Sequence, residues 1–298
     1  MKKAYIFSIL AIACGFTVPQ ASAQRFAVKA YGDVGLGKAM SLTTALPGLT
    51  SKSSSYSFGV DFGYTFWRQG GNSLEANIGL GYRMATANFD LGSLSFNYAA
   101  PASADEDGNP YQRYTTLTDV KQKLSLGYVN LPIYLQYQYR ITDWLGVHAD
   151  AGFGLGFRCA GSAEKVTGNA DTYGVYPGYD DLVIKADYLN DFGEHSLRDA
   201  IVGETEMKGF AASVMCGAGV EFYIADPVSL DLGIRYNAGL TDVFAGRYEI
   251  TDVKEITAES APVTYTVAEG QQAKPLSDYV TKSRLSPLSL HLAINIRF

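Results

Sequence analysis

The chain has 298 residues, with 24 lysines and arginines against 30 acids and a net charge of −6, so it carries no basic stripe of the kind that nucleic-acid binding requires. Glycine, tyrosine and phenylalanine are abundant at 31, 21 and 15 residues, and mean hydropathy is near zero at −0.01. Beyond Val18 no apolar run of about 18 residues occurs, which excludes a transmembrane helix and leaves only a closed sheet as a way to span a membrane.

The first element is a secretory signal peptide over residues 1–23. Lys2 and Lys3 give a positive start, Ala4 to Val18 an apolar stretch, and Ala21-Ser22-Ala23 a small-residue cleavage site ahead of Gln24. A competing lipoprotein signal cut before Cys14 has only the weak lipobox Ala11-Ile12-Ala13.

Eight segments follow with a two-residue period, which in a strand sends alternate side chains to opposite faces. Phe26 to Gly37 sets Phe26, Val28, Ala30, Val34 and Leu36 against Lys29, Tyr31 and Asp33. Tyr56 to Phe66 puts aromatics and Val60 on one face and Ser57, Asp61 and Thr65 on the other. Ser73 to Phe89 opposes Leu74, Ile78, Leu80 and Met84 to Glu75, Asn77 and Arg83. Leu124 to Arg140 opposes Val129, Leu131, Ile133, Leu135, Tyr137 and Tyr139 to Asn130, Tyr134, Gln136 and Gln138, with Pro132 on the polar face, where it removes a ladder donor and is expected to mark a bulge. Leu145 to Cys159, Lys208 to Ile224 and Val228 to Leu240 repeat the pattern. The last segment, Leu288 to Phe298, reads LSLHLAINIRF and ends on an aromatic. Its expected partner is Phe26 to Gly37. Lys29, Asp33, Asp61, Glu75, Arg83, Asp150, Arg158, Glu221, Asp231, Arg235 and Arg297 all fall on the polar face. A charge on a lipid face costs about 2 to 4 kcal/mol at the midplane.

Connection lengths separate a membrane barrel from a soluble sandwich. Short turns lie at Gln69-Gly70-Gly71, Thr142-Asp143 and Ala225-Asp226-Pro227, and they alternate with long connections at Lys38 to Ser55, Asp90 to Gln122, Gly161 to Met207 and Thr241 to Leu285. Strict alternation sorts all long loops to one end, as in outer-membrane barrels. Phe26, Phe66, Trp67, Tyr139, Trp144, Phe222 and Phe298 gather at the short-turn end as an interfacial girdle. The fold expected is all-β: an eight-stranded antiparallel up-and-down transmembrane β-barrel with four long extracellular loops, occupying residues 24–298. Its termini are periplasmic, and no peptidoglycan-binding domain is expected after it. The segment PVTYTVA, Pro262 to Ala268, is expected to extend a hairpin above the membrane; as spanning structure it would raise the count to ten.

With these residues in place the chain resembles the eight-stranded OmpA/OmpX-type barrels, and LGYVNLPIYLQYQY followed by a short turn and GVHADAGFGLGF resembles the PorT-type outer-membrane β-barrel domain of Bacteroidota. The resemblance implies that the terminal strand ending at Phe298 is read by the barrel assembly machinery. The third and fourth loops are longer than those of minimal barrels.

An eight-stranded barrel is narrow enough for side chains to fill it. The inward charges are six acids and five bases, which suits a salt-bridged interior involving Asp61, Glu75, Glu221, Asp231, Arg235 and Arg297 better than the single-sign ring of a selective pore. A small-solute channel is the alternative. A lipid A-modifying enzyme is a further one, resting on Ser289 and His291 two residues apart on one face, with no third, orienting acid identifiable; His148 and His195 complete the histidines. Cys159 and Cys216 differ in height and are expected to be free, apolar-facing thiols. Residues 161–207 are acidic and interleaved with Tyr173, Tyr176, Tyr179, Tyr188 and Phe192, which suits either a partner surface or a loop cap. Asp105-Glu106-Asp107-Gly108-Asn109 is the best oxygen cluster for a cation and lacks EF-hand spacing. The function expected is therefore non-enzymatic: a barrel with a filled lumen and a structural or adhesion-like role. No catalytic residue, cofactor or metal is assigned. Outer-membrane lipids and lipopolysaccharide, and a surface partner at loops 161–207 and 241–285, are the expected contacts.

Overall fold

The computed structural model describes residues 25–44, 49–90, 95–99, 103–104, 107–163, 166–185, 193–196, 206–244, 264–267 and 280–298; the signal-peptide reading lies outside them. Eight long strands carry the architecture: β1 (Phe26–Gly35), β2 (Thr50–Gln69), β3 (Asn72–Asp90), β4 (Pro110–Arg140), β5 (Leu145–Ala163), β6 (Phe210–Ala225), β7 (Val228–Gly239) and β8 (Leu288–Arg297). Each pairs antiparallel with its chain neighbour. The register Ala27↔Arg297 to Gly35↔Ser289 joins β1 to β8 and closes the ring. The terminal strand thus has the partner expected of it, and Phe26 and Phe298 exchange two backbone hydrogen bonds at 3.2 and 2.8 Å.

The alternation read from the sequence holds along the ring. Phe58, Phe62, Ile78, Leu80, Leu135, Phe153, Ile234, Leu292 and Ile294 stand exposed on the outer wall. Lys29, Asp61, Glu75, Glu221, Asp231, Arg235 and Arg297 are buried inside it. Arg158, the eleventh inward charge, is exposed at the long-loop end of β5. From Tyr56 to Phe66 the outward apolar band runs eleven residues, ten steps or about 33 Å of strand, and at the usual tilt of about 40° it stands about 25 Å tall, the height needed to cross a hydrocarbon layer.

Three irregularities correct the sequence picture of the ladder. Pro132 pairs in unbroken register with Gly154, so it makes no bulge. It leaves a gap opposite Gly79 and Leu80 in the β3 ladder, as a missing N–H must. The bulge in β5 is at Cys159, where Gly127↔Ala160 gives way to Tyr128↔Arg158. A second shift, between Thr65 and Trp67, makes Phe66 the extra residue of β2 and leaves consecutive aromatics exposed there.

The described parts of the long connections form more sheet than the sequence implied. β4 runs 31 residues, roughly three times the span a membrane strand needs. Its distal half, Gln112 to Lys121, pairs with a strand at Thr167–Tyr176, which in turn carries Leu182–Ile184 and Gly193–Ser196 on its other edge. Met40–Thr44 of the first connection pairs with Val280–Leu285 of the last. Within PVTYTVA a strand forms at Thr264–Val267, but it lies parallel to Ser95–Ala99 of the second connection instead of extending a hairpin of its own.

Candidate functional site

The interior of the ring is the candidate site, and it has two layers. The lower one, toward the short turns, is a polar network. Glu221 is held by a bidentate Arg297, by the Ser229 hydroxyl and by Asn295 Nδ2 at 3.1 Å. Lys29 bridges Glu75 and Gln136. One level up, the Tyr134 hydroxyl donates to Asp61 at 2.6 Å. Arg235 lies over the Tyr134 ring at 5.0 Å and the Tyr31 ring at 5.9 Å, with Asp150 3.6 Å from its Nε. His148 Nε2 meets Asp231 at 2.8 Å. Nearest the middle of the molecule, Asp33 takes His291 Nδ1 at 2.6 Å and the Ser57 hydroxyl at 2.7 Å, and Arg83 donates to Asn237 at 3.3 Å.

All six charged residues read from the sequence as interior partners are here, although only Glu221 and Arg297 pair with each other. Asp61 uses a tyrosine, Asp231 a histidine, and Glu75 uses Lys29. Bulky inward tyrosines require glycines opposite them: a Cβ at Gly59 would fall 2.8 Å from the Tyr31 hydroxyl. That is the structural use of the glycine-rich interior. His291 does have an orienting acid, Asp33, which the sequence spacing hid because the two are 258 positions apart. The hydroxyl on that carboxylate is Ser57; Ser289 is buried opposite Gly35 and Arg235. A nucleophile–base pairing of Ser289 with His291 is therefore not formed.

The upper layer is mainly apolar, with Gln122 a buried polar side chain within its β4 series. The inward residues Ala85, Ala87 and Phe89 of β3 and Tyr128, Leu126, Leu124 and Val120 of β4 are all buried. They pack beneath segments of the first and last connections that bring Ala39, Met40, Val243, Phe244, Val280 and Leu285 out of water. Phe89 and Phe244 meet edge to face at 6.2 Å. The connections are tied down by backbone bonds, Val243 N–H to Ser283 O at 2.7 Å and Ser286 N–H to Ala39 O at 2.9 Å. Ser283 adds side-chain bonds to both backbone groups of Phe244 at 3.1 Å. Where the layers meet, beside Arg83, Tyr128 and Asn130, a void of about 10 Å³ remains, room for about one water. At the short-turn end a vestibule of about 420 Å³ opens past Arg68, Arg140 and Tyr223 and stops at Arg297.

On the outer wall the polarity reverses at one height. In β3 the outward series Ile78, Leu80, Tyr82, Met84 continues as Thr86, Asn88 and Asp90, while the inward series Glu75, Asn77, Arg83 continues as Ala85, Ala87 and Phe89. In β4 the outward Ile133, Leu131, Val129 gives way to Ser125, Lys123 and Lys121. Register sets Tyr56, Met84 and Gly127 side by side at the switch. Sequence reasoning missed this layer, although the phase change between Leu124, Leu126 and Val129, Leu131 recorded it.

The remaining sequence candidates separate. Cys159 and Cys216 are free and exposed. Asn109 accepts from the Tyr179 hydroxyl at 3.1 Å; Asp105 and Glu106 lie outside the described residues, and among those described no group of three or more potential ligands gathers for a metal. Tyr176 stacks on Tyr111 at 5.2 Å with Tyr179 edge-on at 6.4 Å, and Lys185 lies 5.1 Å from the Tyr173 ring centre. Tyr188, Phe192 and the side chain of His195 are outside the described residues.

Comparison with known proteins places this geometry. No curated protein sequence matches the chain. Among solved structures it is similar to the outer membrane protein OprG from Pseudomonas aeruginosa, at 10% identity over 93% of this chain and 96% of that one with a TM-score of 0.38. It is also similar to Neisserial surface protein A, at 10% identity over 92% and 97% with a TM-score of 0.31. A third is Ail, the attachment invasion locus protein of Yersinia pestis, in complex with the heparin analogue sucrose octasulfate, at 8% identity over 93% and 100% with a TM-score of 0.29. The family model described as "Outer membrane protein beta-barrel domain" matches residues 20–245, leaving β8 to be placed by its register with β1 and β7. The chain belongs to this family of bacterial outer-membrane β-barrel proteins.

Proposed function

We propose that this chain is an eight-stranded transmembrane barrel that does not conduct and does not catalyse, and that acts as a structural or surface-interaction protein through four long extracellular loops. The observation that carries the reading is the double closure of the lumen, an ion-paired layer followed by an apolar one. A pore needs a continuous wet path, and a hydrolytic site needs access for its substrate and its water. The apolar outer band and the sheet that rises beyond it support an orientation with the short turns and termini periplasmic. Loops 161–207 and 241–285 then face outward, toward a surface partner, and Phe298 faces the barrel assembly machinery. The motif LGYVNLPIYLQYQY supports a place near the PorT-like barrels of Bacteroidota.

The competing reading is a small-solute channel entered from the vestibule at Arg68 and Arg140. Planar-bilayer recording of the full-length protein separates the two. The closed lumen gives no stable unitary current; reproducible steps from purified, heat-modifiable protein would replace the proposal with the channel.

A further inference from the structure

Among the described residues four lysines and arginines are buried inside the ring, and they are not held alike. Lys29 contacts Glu75, Arg297 contacts Glu221, and Arg235 has Asp150 3.6 Å from its Nε. Arg83 is buried to 7% exposure, yet no carboxylate of the described residues pairs with it. Its one hydrogen bond goes to a neutral acceptor, Asn237 Oδ1, at 3.3 Å. Asp33, two strands away in the row Asp33↔Ser57↔Arg83, is taken by His291 and by the Ser57 hydroxyl. Buried charges are ordinarily neutralised by a partner, because desolvation penalises a lone one heavily. Arg83 borders the cavity of about 10 Å³ between the two layers and is the single charged residue lining it. The polar side chains beside it can all donate. Asn130 is buried and makes no side-chain hydrogen bond with the described residues. The Ser213 hydroxyl reaches Gly154 O only at 3.4 Å, and the Thr241 hydroxyl accepts the Ala212 N–H at 2.8 Å, which leaves its own proton to give.

We propose that this cavity binds one monatomic anion of the chloride class against Arg83, at the height where the ion-paired layer ends and the apolar one begins. Charge selects an anion, since the lining offers a guanidinium and several donors and, among the described residues, no carboxylate. Size selects a single atom. The cavity admits about one water-sized body, which excludes phosphate, sulfate and carboxylates. Chloride is slightly larger than water, and the loosely held ends of Asn130 and Ser213 give it that margin. Thr241 and Leu285 of the last connection close over the ion, so the cap and the counter-ion stabilise each other. The assignment rests on the closed lumen proposed above, because an open one would solvate Arg83. Bilayer recording tests that closure, and the halide measurements test the site.

The test is urea unfolding of the full-length protein in phosphatidylcholine vesicles at constant ionic strength, with chloride exchanged for gluconate. Once the site is filled, each tenfold rise in chloride lowers the unfolding equilibrium constant about tenfold, because one ion leaves on unfolding. Bromide acts as chloride does, and phosphate has no such effect. Arg83→Gln keeps a donor for Asn237, removes the charge and abolishes the chloride dependence. A wild-type midpoint indifferent to chloride, the same dependence in Arg83→Gln, or an equal effect of phosphate would overturn the site, leaving the cavity to water alone. If the variant does not fold, anomalous scattering from wild-type crystals grown in molar bromide decides. A peak in the cavity beside Arg83 supports the site, and its absence overturns it.

Discussion

Below Arg83 the inside of the ring is charged and hydrogen-bonded; above it, the inside is a hydrophobic core of ordinary composition. The same strands build both. The difference shows that wall polarity follows whatever lies on the far side of the sheet. Where the outer face meets hydrocarbon, apolar side chains gain nothing by turning inward, so the polar residues occupy the lumen and must neutralise one another there. Where the outer face meets water, the usual hydrophobic effect returns, and Phe89, Leu124, Leu126 and Phe244 collapse under the connecting segments. One continuous ladder is thus an inside-out protein for half its height and a conventional one for the rest.

The sharpest way to break this comparison is to remove one partner from the polar layer. Glu221 is fully buried and holds Arg297, Ser229 and Asn295. Glu221→Ala strands a guanidinium in the lumen and costs about 3 to 5 kcal/mol of barrel stability, measured by urea unfolding in lipid vesicles. The double variant Glu221→Met with Arg297→Met removes both charges and recovers much of that loss. If the double variant is as unstable as the single, the layer is held by shape and not by charge pairing.

A change in the apolar layer has a different reach. Phe244→Ala empties the space against Phe89 and destabilises the cap by about 3 kcal/mol. The loss is local, because the Val243 and Ser286 amides bond to Ser283 and Ala39, which belong to the capping segments themselves. Hydrogen exchange at the Val243 and Ser286 amides quickens on the order of 100-fold, while amides of β8 such as that of Ala293 keep their protection. Equal loss of protection in β8 would mean that cap and barrel unfold as one unit, and the comparison would fail.

The two layers also differ in how much the sequence discloses. Below the switch, alternation over ten residues with every charge on one face is a strong signal, and the eight strands, their order and the β1–β8 closure follow from it. Partner identity does not follow. Asp33 and His291 meet only because β8 closes against β1, and Asp61 finds Tyr134 across two strand boundaries. Above the switch, the period of two continues through Ala85, Ala87 and Phe89 with its polarity reversed. A search for one apolar face ends the strand there and calls the rest loop. The cap adds a second obstacle, since Ala39, Val243 and Leu285 come from connections at opposite ends of the chain. The closed ring alone brings them together.

The smallest effect is expected where the wall meets lipid alone. Cys216 is exposed on the outer face and sits between Ala151 and Tyr236 of the neighbouring strands, a residue away from the buried Met215. Its thiol leaves water for hydrocarbon in the folded state whether the side chain is cysteine or alanine, and it fills no space between protein atoms. Cys216→Ala therefore shifts stability by less than about 0.5 kcal/mol, read as an unchanged urea midpoint in vesicles. A larger loss would show that this face packs against protein, in a second copy or a bound chain, and the outer wall at β6 would then be an interface in place of a lipid boundary.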